Sequence, residues 1–221
     1  MSLDFSRVSA YSPLLVKGTV TTLELTFFSV ILGIAIGLIT ALLKMSNFKP
    51  LSVLGNVYVE LIRGTPLLVQ LYIVYYGLPQ LIGHDIPSFP AAVAALSINS
   101  GAYVAEIIRA GIQAVDYGQM EAARSLGMSY GLAMRFVIIP QAIKNILPAL
   151  GNEFVSLLKE SATVSVISMG DLMRQADIIR AATYTAFEPL IEVALIYFAM
   201  TYIFSSFQRI LERRLKAGDT H

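Results

Sequence analysis

The sequence predicts an all-α, polytopic membrane protein with about five transmembrane helices and one cytoplasmic helix between them. Hydrophobic residues make up 56% of the 221 residues and charged residues only 14%, whereas soluble domains carry about 25% charged residues. The mean hydropathy is +0.67. Apolar runs of about 20 residues, the length that crosses a bilayer core, recur along the chain. Each run is predicted to be helical, because a helix satisfies its own backbone hydrogen bonds in lipid.

Five apolar runs are candidates for the transmembrane helices. In chain order they are Thr19–Leu43, Val53–Leu78, Ser88–Ile112, Val137–Ile167 and Glu188–Phe207. The fourth is too long for one straight span, and Pro140 and Pro148 predict an oblique entry before a crossing part near Leu147–Ile167. Gly170–Phe187 is polar enough for an external loop or a surface helix. We interpret residues 1–221 as a single domain, in which the loop 113–136 holds the cytoplasmic helix.

The basic residues outside the apolar cores predict the orientation, because cytoplasmic loops are enriched in Lys and Arg. If the amino terminus is outside, eight basic residues fall on the inner side and four on the outer side. The inner set is Lys44, Lys49, Arg124, Arg135, Arg209, Arg213, Arg214 and Lys216, and the outer set is Arg7, Lys17, Arg174 and Arg180. The excess predicts a multi-pass protein of the cell membrane with its amino terminus outside and its carboxyl terminus in the cytoplasm.

Several kinds of chemistry are absent from the sequence. There is no cysteine, which excludes disulfides, thiol nucleophiles and cysteine-ligated metals. There is no H-E-x-x-H motif, and no Ser/His pairing lies in a plausible span, so an enzyme is not predicted. The chain also lacks any Gly-Lys dipeptide and therefore the G-x-x-x-x-G-K-[ST] phosphate loop for ATP. No charge run suggests binding to nucleic acid.

The loop between the third and fourth runs contains a short polar helix. Good helix formers occupy Gln119–Leu126, and Gly127 is placed to end the helix in the left-handed conformation. An apolar stripe at a spacing of three, beside two charged residues, predicts that this helix docks into a groove on another protein. The stripe consists of Met120, Ala123 and Leu126, and the charged residues are Glu121 and Arg124.

The same loop resembles the signature E-A-A-x3-G-x9-I-x-L-P of the ABC importer permeases. Glu121, Ala122, Ala123 and Gly127 match it, and Val137-Ile138-Ile139-Pro140 is a conservative departure at its end. Three further segments, in the expected order and spacing, resemble motifs of the polar-amino-acid subfamily: ELIRGTPLLVQL (Glu60–Leu71), YVAEIIRAGI (Tyr103–Ile112) and NEFVSLLKESAT (Asn152–Thr163). Lys159-Glu160-Ser161-Ala162-Thr163 departs from the family, in which Lys-Asp-Thr-Ser-Leu is common.

The resemblance implies how the protein is assembled. The loop helix would be the coupling helix, seated in an ATP-hydrolysing partner through Glu121, Ala122, Ala123, Arg124 and Gly127. Two permease chains, identical or different, would combine with a dimer of ATP-binding cassette subunits and an external solute-binding protein. ATP and Mg would bind to the ATPase partner, and this chain itself would bind no cofactor.

Ionisable residues inside the apolar runs are costly in lipid and mark candidate functional positions. The second and third runs each contain an acid and a base three residues apart, on one helix face. These pairs are Glu60/Arg63 and Glu106/Arg109. Both lie toward the cytoplasmic side, where they predict either one cross-helix ion-pair network at a gate or separate pairs whose arginines reach the membrane surface. Gly64 and Pro66 weaken the helix beside the first pair.

Four polar residues predict a solute-binding site near the membrane midplane. At 1.5 Å per residue, Glu153 lies roughly 14 Å deep, and Asn99 reaches a similar level. Ser97, Ser100 and Gly101 flank Asn99 with small polar groups, and Glu160 shares the face of Glu153 two turns further out. These carboxylates favour a basic amino acid such as arginine, lysine or histidine, while a glutamine-type solute remains open. Alternatively, Glu153 pairs with Lys159 or caps a broken helix.

The leading interpretation is the permease subunit of an ATP-driven importer for polar, basic amino acids, which moves solute by alternating access. The alternative is a secondary transporter or channel that uses the intramembrane Glu and Arg residues for ion coupling. Five spans without an inverted repeat argue against the alternative, and it leaves the helix at Glu121 without a function.

Overall fold

The computed structural model describes residues 4–217, and their side chains as far as residue 214. Within these residues the chain forms helices and no strand, which confirms the all-α prediction. The helices are α1 (Ser6–Ser9), α2 (Ser12–Lys44), α3 (Lys49–Arg63), α4 (Leu67–Tyr72), α5 (Leu78–Ile82), α6 (Ser88–Gln113), α7 (Tyr117–Ser125), α8 (Tyr130–Ala133), α9 (Ile139–Glu160), α10 (Leu172–Thr183) and α11 (Phe187–Ala217). The side chain of Lys216, counted above among the inner basic residues, lies outside the described side chains.

Three helices are long and apolar enough to cross a membrane, namely α2, α6 and the segment Phe187–Arg214 of α11. A fourth span is formed if α3 and the helical segment Leu67–Ile82 count as one bent pair. The predicted span Val137–Ile167 contains α9 and a 3₁₀ turn, Ser161–Ile167. α9 does not meet the same criterion of apolarity, because polar residues such as Asn145 and Asn152 interrupt its apolar positions.

The pair of helices α2 and α6 forms the centre of the fold, and the two run in the same direction. Gly33 lies against Ser100, and Gly37 lies one turn further along against Val104. A Cβ atom on Gly37 would come within 2.5 Å of the Cβ atom of Val104. Small residues at a spacing of four allow membrane helices to approach this closely.

The second predicted span, Val53–Leu78, is not one straight helix. α3 and the segment Leu67–Ile82 meet at an angle of 103°. Pro66, which has no N–H group, adopts an extended conformation (φ −63°, ψ 137°) and begins the second arm. Proline also disfavours the helical conformation of the residue before it. The weak helix expected around Gly64 and Pro66 is therefore a sharp break.

Each of two π-helical turns ends two residues before a proline. Ile73–Gly77 joins α4 to α5 before Pro79, and Met134–Ile138 joins α8 to α9 before Pro140. Because proline donates no hydrogen bond, the preceding carbonyl groups lose a helical partner, and a wider turn accommodates the change. The bend expected at Pro140 takes this form, and the helix continues through it to Glu160.

Helices α1 and α10 close the end of the fold at which α2 begins. Val8 of α1 is buried with Leu172 and Ile179 of α10 and Val193 of α11. The backbone N–H of Leu172 donates to Oγ1 of Thr22 at 3.0 Å, which ties α10 to α2. The surface helix expected within Gly170–Phe187 is thus α10.

Candidate functional site

The polar helix expected at Gln119–Leu126 is α7, Tyr117–Ser125. Asp116 begins it: its side chain accepts a hydrogen bond from the N–H of Gly118 at 2.7 Å, the usual arrangement of a helix N-cap. The predicted helix is confirmed, with its start two residues earlier and its end one residue earlier.

Gly127 ends α7 in the left-handed conformation, with a φ of +85°. Its N–H bonds the carbonyl of Arg124, and the N–H of Met128 bonds the carbonyl of Ala123. This pair of hydrogen bonds is a Schellman motif, in which glycine is favoured at the left-handed position. The predicted left-handed cap is confirmed.

The apolar stripe expected on α7 does not form one exposed face. Ala123 is buried, Met120 is half-buried, and Leu126 is 84% exposed at the end of the helix. The reason is that α7 packs against the π-helical turn Met134–Ile138 of its own chain. The exposed residues of this segment include Tyr117, Glu121, Ala122, Arg124 and Gly127, so of the predicted coupling residues only Ala123 is turned inward.

Three cationic side chains, from three different helices, lie around one carboxylate, that of Glu106 in α6. Lys44 at the end of α2 donates from Nζ to Oε1 of Glu106. Nη2 of Arg109 lies 2.8 Å from Oε2 of Glu106, and Nη1 of Arg63 lies 3.9 Å from the same oxygen. The guanidinium of Arg63 also stacks over the ring of Tyr103, 5.2 Å from its centre. The predicted cross-helix network thus exists around Glu106.

The members of this network differ from the prediction at two positions. Glu60 is exposed and forms no ion pair among residues 4–214. It lies about 100° around α3 from Val59, whereas Val59 and Ile62 belong to the face that is buried. Lys44, whose side chain is only 9% exposed, takes part instead. Sequence reasoning counted it only as an inner basic residue, although its position directly after an apolar run was the available signal.

Glu153 is half-buried on α9 and contacts α6. Its Oε1 accepts a hydrogen bond from Oγ of Ser100 at 2.8 Å. It forms no ion pair with Lys159 within the described part of the chain, so that alternative is not what the structure shows. Glu160 is exposed at the end of α9.

The other two residues of the predicted solute site are buried away from Glu153. Ser97 is 2% exposed and donates to the carbonyl of Val93 in its own helix at 2.6 Å. Asn99 is 4% exposed and donates to Oε1 of Gln70 at 3.0 Å. We correct the predicted site accordingly: Ser100 is the α6 residue that contacts Glu153.

A cavity of about 430 Å³ opens between α3, α6 and α9, on the side of Glu153 that leads toward α7. It is lined by Arg63, Tyr103, Glu106, Gly111, Asn145 and Ala149, among others. Ala149 lies one helical turn from Glu153, and Tyr103 lies one turn from Ser100. The face that carries the Glu153–Ser100 contact therefore leads into this cavity.

A larger cavity of about 730 Å³ lies beside α7. Its lining includes Ile112 at the end of α6, and Asp116, Glu121 and Arg124 of the α7 segment. The exposed side of α7 thus borders a recess rather than a flat surface.

Comparison with known proteins gives consistent matches along the chain. Residues 33–217 match the family of the binding-protein-dependent transport system inner membrane component. The chain is 49% identical over 219 residues to the arginine transport system permease protein ArtQ of Bacillus subtilis (strain 168), covering 99% of this chain and 100% of that protein. It is 44% identical over 214 residues to a putative glutamine transport system permease protein GlnP of Rickettsia bellii (strain RML369-C), covering 96% and 98%.

Solved structures show the same fold. A chain in the crystal structure of an amino acid ABC transporter with histidines is 61% identical, with a TM-score of 0.94 over 97% of this chain and 100% of that one. A chain of the MetNI methionine ABC transporter, in an inward-facing conformation, has a TM-score of 0.79 over 93% and 98%. At 21% identity it supports the fold alone.

These matches confirm the resemblance drawn from the sequence motifs. Membership implies an ATPase partner, a pairing of permease chains and a multi-pass location in the inner membrane. The chain is a transport component and not an enzyme. α7 is exposed, and the sequence motifs of the chain follow one another in the order found in the family. The chain therefore belongs to the binding-protein-dependent inner membrane components and is a permease subunit of an amino acid ABC importer.

Proposed function

We propose that this permease carries a basic amino acid by alternating access, driven by ATP hydrolysis on a separate subunit. The observation that carries the proposal is the half-buried carboxylate of Glu153, which lies on a face that leads into the 430 Å³ cavity. A carboxylate among apolar helices is stabilised by a cationic group. The relative named for arginine, and the 61% identical structure with histidines, support a basic solute. The relative named for glutamine makes a neutral amino acid the second candidate.

The proposed energy source lies on partner subunits that dock on α7. ATP and Mg bind to a dimer of ATP-binding cassette subunits, and this chain holds no cofactor. The exposed residues Glu121, Ala122 and Arg124 offer charge and small size at the docking surface. Two permease chains, the same or different, form the path, and an external solute-binding protein delivers the amino acid. Closure of the ATPase dimer moves α7 and reorients the spans.

We propose an external amino terminus and a cytoplasmic α7. The direction of the helices supports this orientation, because α2 and α6 run parallel and end on the same side, where α7 begins. Lys44, Lys49, Arg124 and Arg135 lie at that end, while Arg174 and Arg180 lie on α10 at the other. The basic residues are therefore concentrated at the end that we assign to the cytoplasm.

The solute assignment is tested by direct binding to the detergent-solubilised permease–ATPase complex without the external protein. Glu153→Gln keeps size and most hydrogen-bonding capacity but removes the charge. Losing a charge-assisted hydrogen bond should lower the affinity for arginine and lysine roughly ten- to a hundredfold. Glutamine binding should change much less, and Glu160→Gln is the matched control with the smaller effect. Unchanged affinity for arginine in Glu153→Gln would reject the site.

The energy source is tested by reconstitution with the ATPase and the binding protein. Uptake should require ATP, and solute should stimulate hydrolysis. Uptake by the permease alone, without ATP, would instead establish a secondary transporter or channel.

A further inference from the structure

The guanidinium of Arg63 is held in place without using its hydrogen-bond donors. Its Nη1 lies 3.9 Å from Oε2 of Glu106, beyond hydrogen-bond distance. The guanidinium lies over the ring of Tyr103, 5.2 Å from its centre, and the side chain is 44% exposed. Among residues 4–214 it donates no hydrogen bond, whereas Arg109 donates to both Glu106 and Gln113.

The surrounding charge is strongly positive. Lys44 and Arg109 already neutralise Glu106 through direct contacts, so Arg63 adds an unbalanced positive charge to the cluster. Such an excess of positive charge attracts an anion. A planar guanidinium matches a carboxylate in particular, because its parallel N–H groups bind both oxygens.

Arg63 faces a space of suitable size and position. It lines the cavity of about 430 Å³, together with Tyr103 and Asn145, and small-molecule sites have volumes of about 300–1,000 Å³. Ala149 of the same cavity lies one turn of α9, about 6 Å, from Glu153. A carboxylate site at Arg63 and a cation site at Glu153 would thus lie on one continuous face.

We propose that Arg63 binds the α-carboxylate of the transported amino acid in this cavity. The identity of the side chain of the transported amino acid rests on the proposed function, since Glu153 would contact the cationic end of a basic solute. The contact with Arg63 is independent of the side chain, because every amino acid carries the carboxylate. Arg63 is then a substrate-binding residue rather than only a member of the Glu106 ion-pair cluster.

The test uses ligand pairs that differ only in the carboxylate. Arginine is compared with agmatine, and glutamine with 4-aminobutanamide, by calorimetric binding to the solubilised permease–ATPase complex. The wild-type protein should prefer the carboxylate member of a pair at least about tenfold. Arg63→Met should remove that preference by weakening the amino acid roughly ten- to a hundredfold while leaving its decarboxylated analogue unchanged. Arg63→Lys should retain part of the preference.

Arg135→Met is the matched control, because Arg135 also stacks on an aromatic ring, that of Phe136, but does not line the cavity. It should leave both affinities unchanged.

Equal affinities within each pair in the wild-type protein, or an equal loss of affinity for both ligands in Arg63→Met, would overturn the proposal. If glutamine binds with the preference but arginine does not bind, the carboxylate site holds and the basic solute fails. Retention of phosphatidylglycerol that depends on Arg63, without any preference, would assign the guanidinium to a lipid headgroup and also overturn the proposal.

Discussion

Asn99 of α6 donates a hydrogen bond from Nδ2 to Oε1 of Gln70 in α4, at 3.0 Å, and both side chains are buried. Nε2 of Gln70 lies 2.8 Å from the carbonyl oxygen of Ile62 and 2.9 Å from Oγ1 of Thr65, on the other arm of the break. One side-chain amide therefore joins α6 to both arms. These hydrogen bonds hold the 103° bend at Gly64–Pro66, which we call the elbow, in a fixed geometry.

Loss of this amide should destabilise the protein cooperatively. Gln70→Leu keeps the bulk but leaves the buried Asn99 amide without its partner, at a cost of about 1–3 kcal/mol. The melting temperature of the solubilised complex should fall, and Asn99→Leu should then add little. A double-mutant cycle should give a coupling of about 0.5–3 kcal/mol. Ser97→Ala, which removes a hydroxyl bonded only within α6, is the control with a much smaller effect. If the two substitutions change the free energy of unfolding strictly additively, Gln70 and Asn99 do not act together, and the role proposed for the elbow is wrong.

Glu106 should be more important for stability than Glu60, the acid that the sequence also assigned to this network. Glu106→Gln leaves the buried ammonium of Lys44 without a counter-charge, and breaking a buried pair costs about 3–5 kcal/mol. Lys44→Met combined with Glu106→Met should recover much of that loss in thermal denaturation. The same acid-to-amide change at the exposed Glu60 should shift the melting temperature little. Equal losses from Glu60→Gln and Glu106→Gln would show that the cluster does not stabilise the fold.

The end of α7 should control coupling to the ATPase. Gly127→Val forces a β-branched residue to a φ of +85°, a strain of order 1–3 kcal/mol. It should disturb the docking surface and uncouple ATP hydrolysis from uptake, as should charge reversal in Glu121→Lys. Both variants should still insert into the membrane.

The control for Gly127 is Gly131→Val. Gly131 lies in α8 with open space around it, so a side chain there meets no obstacle. It should assemble and transport normally. Normal coupled uptake by both Gly127→Val and Glu121→Lys would reject the assignment of α7.

The carboxyl group of Asp171 should make the stability of the α10 end depend on pH. This residue is fully buried at the start of α10, and burial raises its pKa to about 6, although the N–H groups of Met173 and Arg174 oppose the rise. Because the folded-state pKa lies above the unfolded value, the folded protein binds the extra proton, and stability is lost as the pH rises from about 4 to about 6. Asp171→Asn keeps the cap and should remove the pH dependence of the melting temperature between about pH 4 and pH 6. An unchanged slope in the variant would exclude Asp171 as the cause.

Sequence patterns located the apolar segments and α7 because each depends on local chemistry. The left-handed cap at Gly127 follows from nearby residues alone. In contrast, α6 is apolar on most sides, so nothing in the pattern shows which of Ser97, Asn99 and Ser100 turns toward α9. The same limit hid the role of Lys44, whose partner is decided by how α2 and α6 align. Local spacing likewise paired Glu60 with Arg63, whereas the packing of α3 brings Arg63 beside Glu106 and Tyr103 and leaves Glu60 exposed.

The parallel arrangement of α2 and α6 has a consequence for how the protein is made. Synthesis completes α2 long before α6, so the small-residue face at Gly33 and Gly37 has no partner when α2 leaves the ribosome. With a mean hydropathy of 2.4, α2 is apolar enough to reside in the bilayer alone, and helix packing follows insertion as a separate stage. The chain must then turn back through the elbow at Gly64–Pro66 before α6 can reach that face. The centre of the finished protein is thus assembled late, after the bilayer has already accepted its first helix.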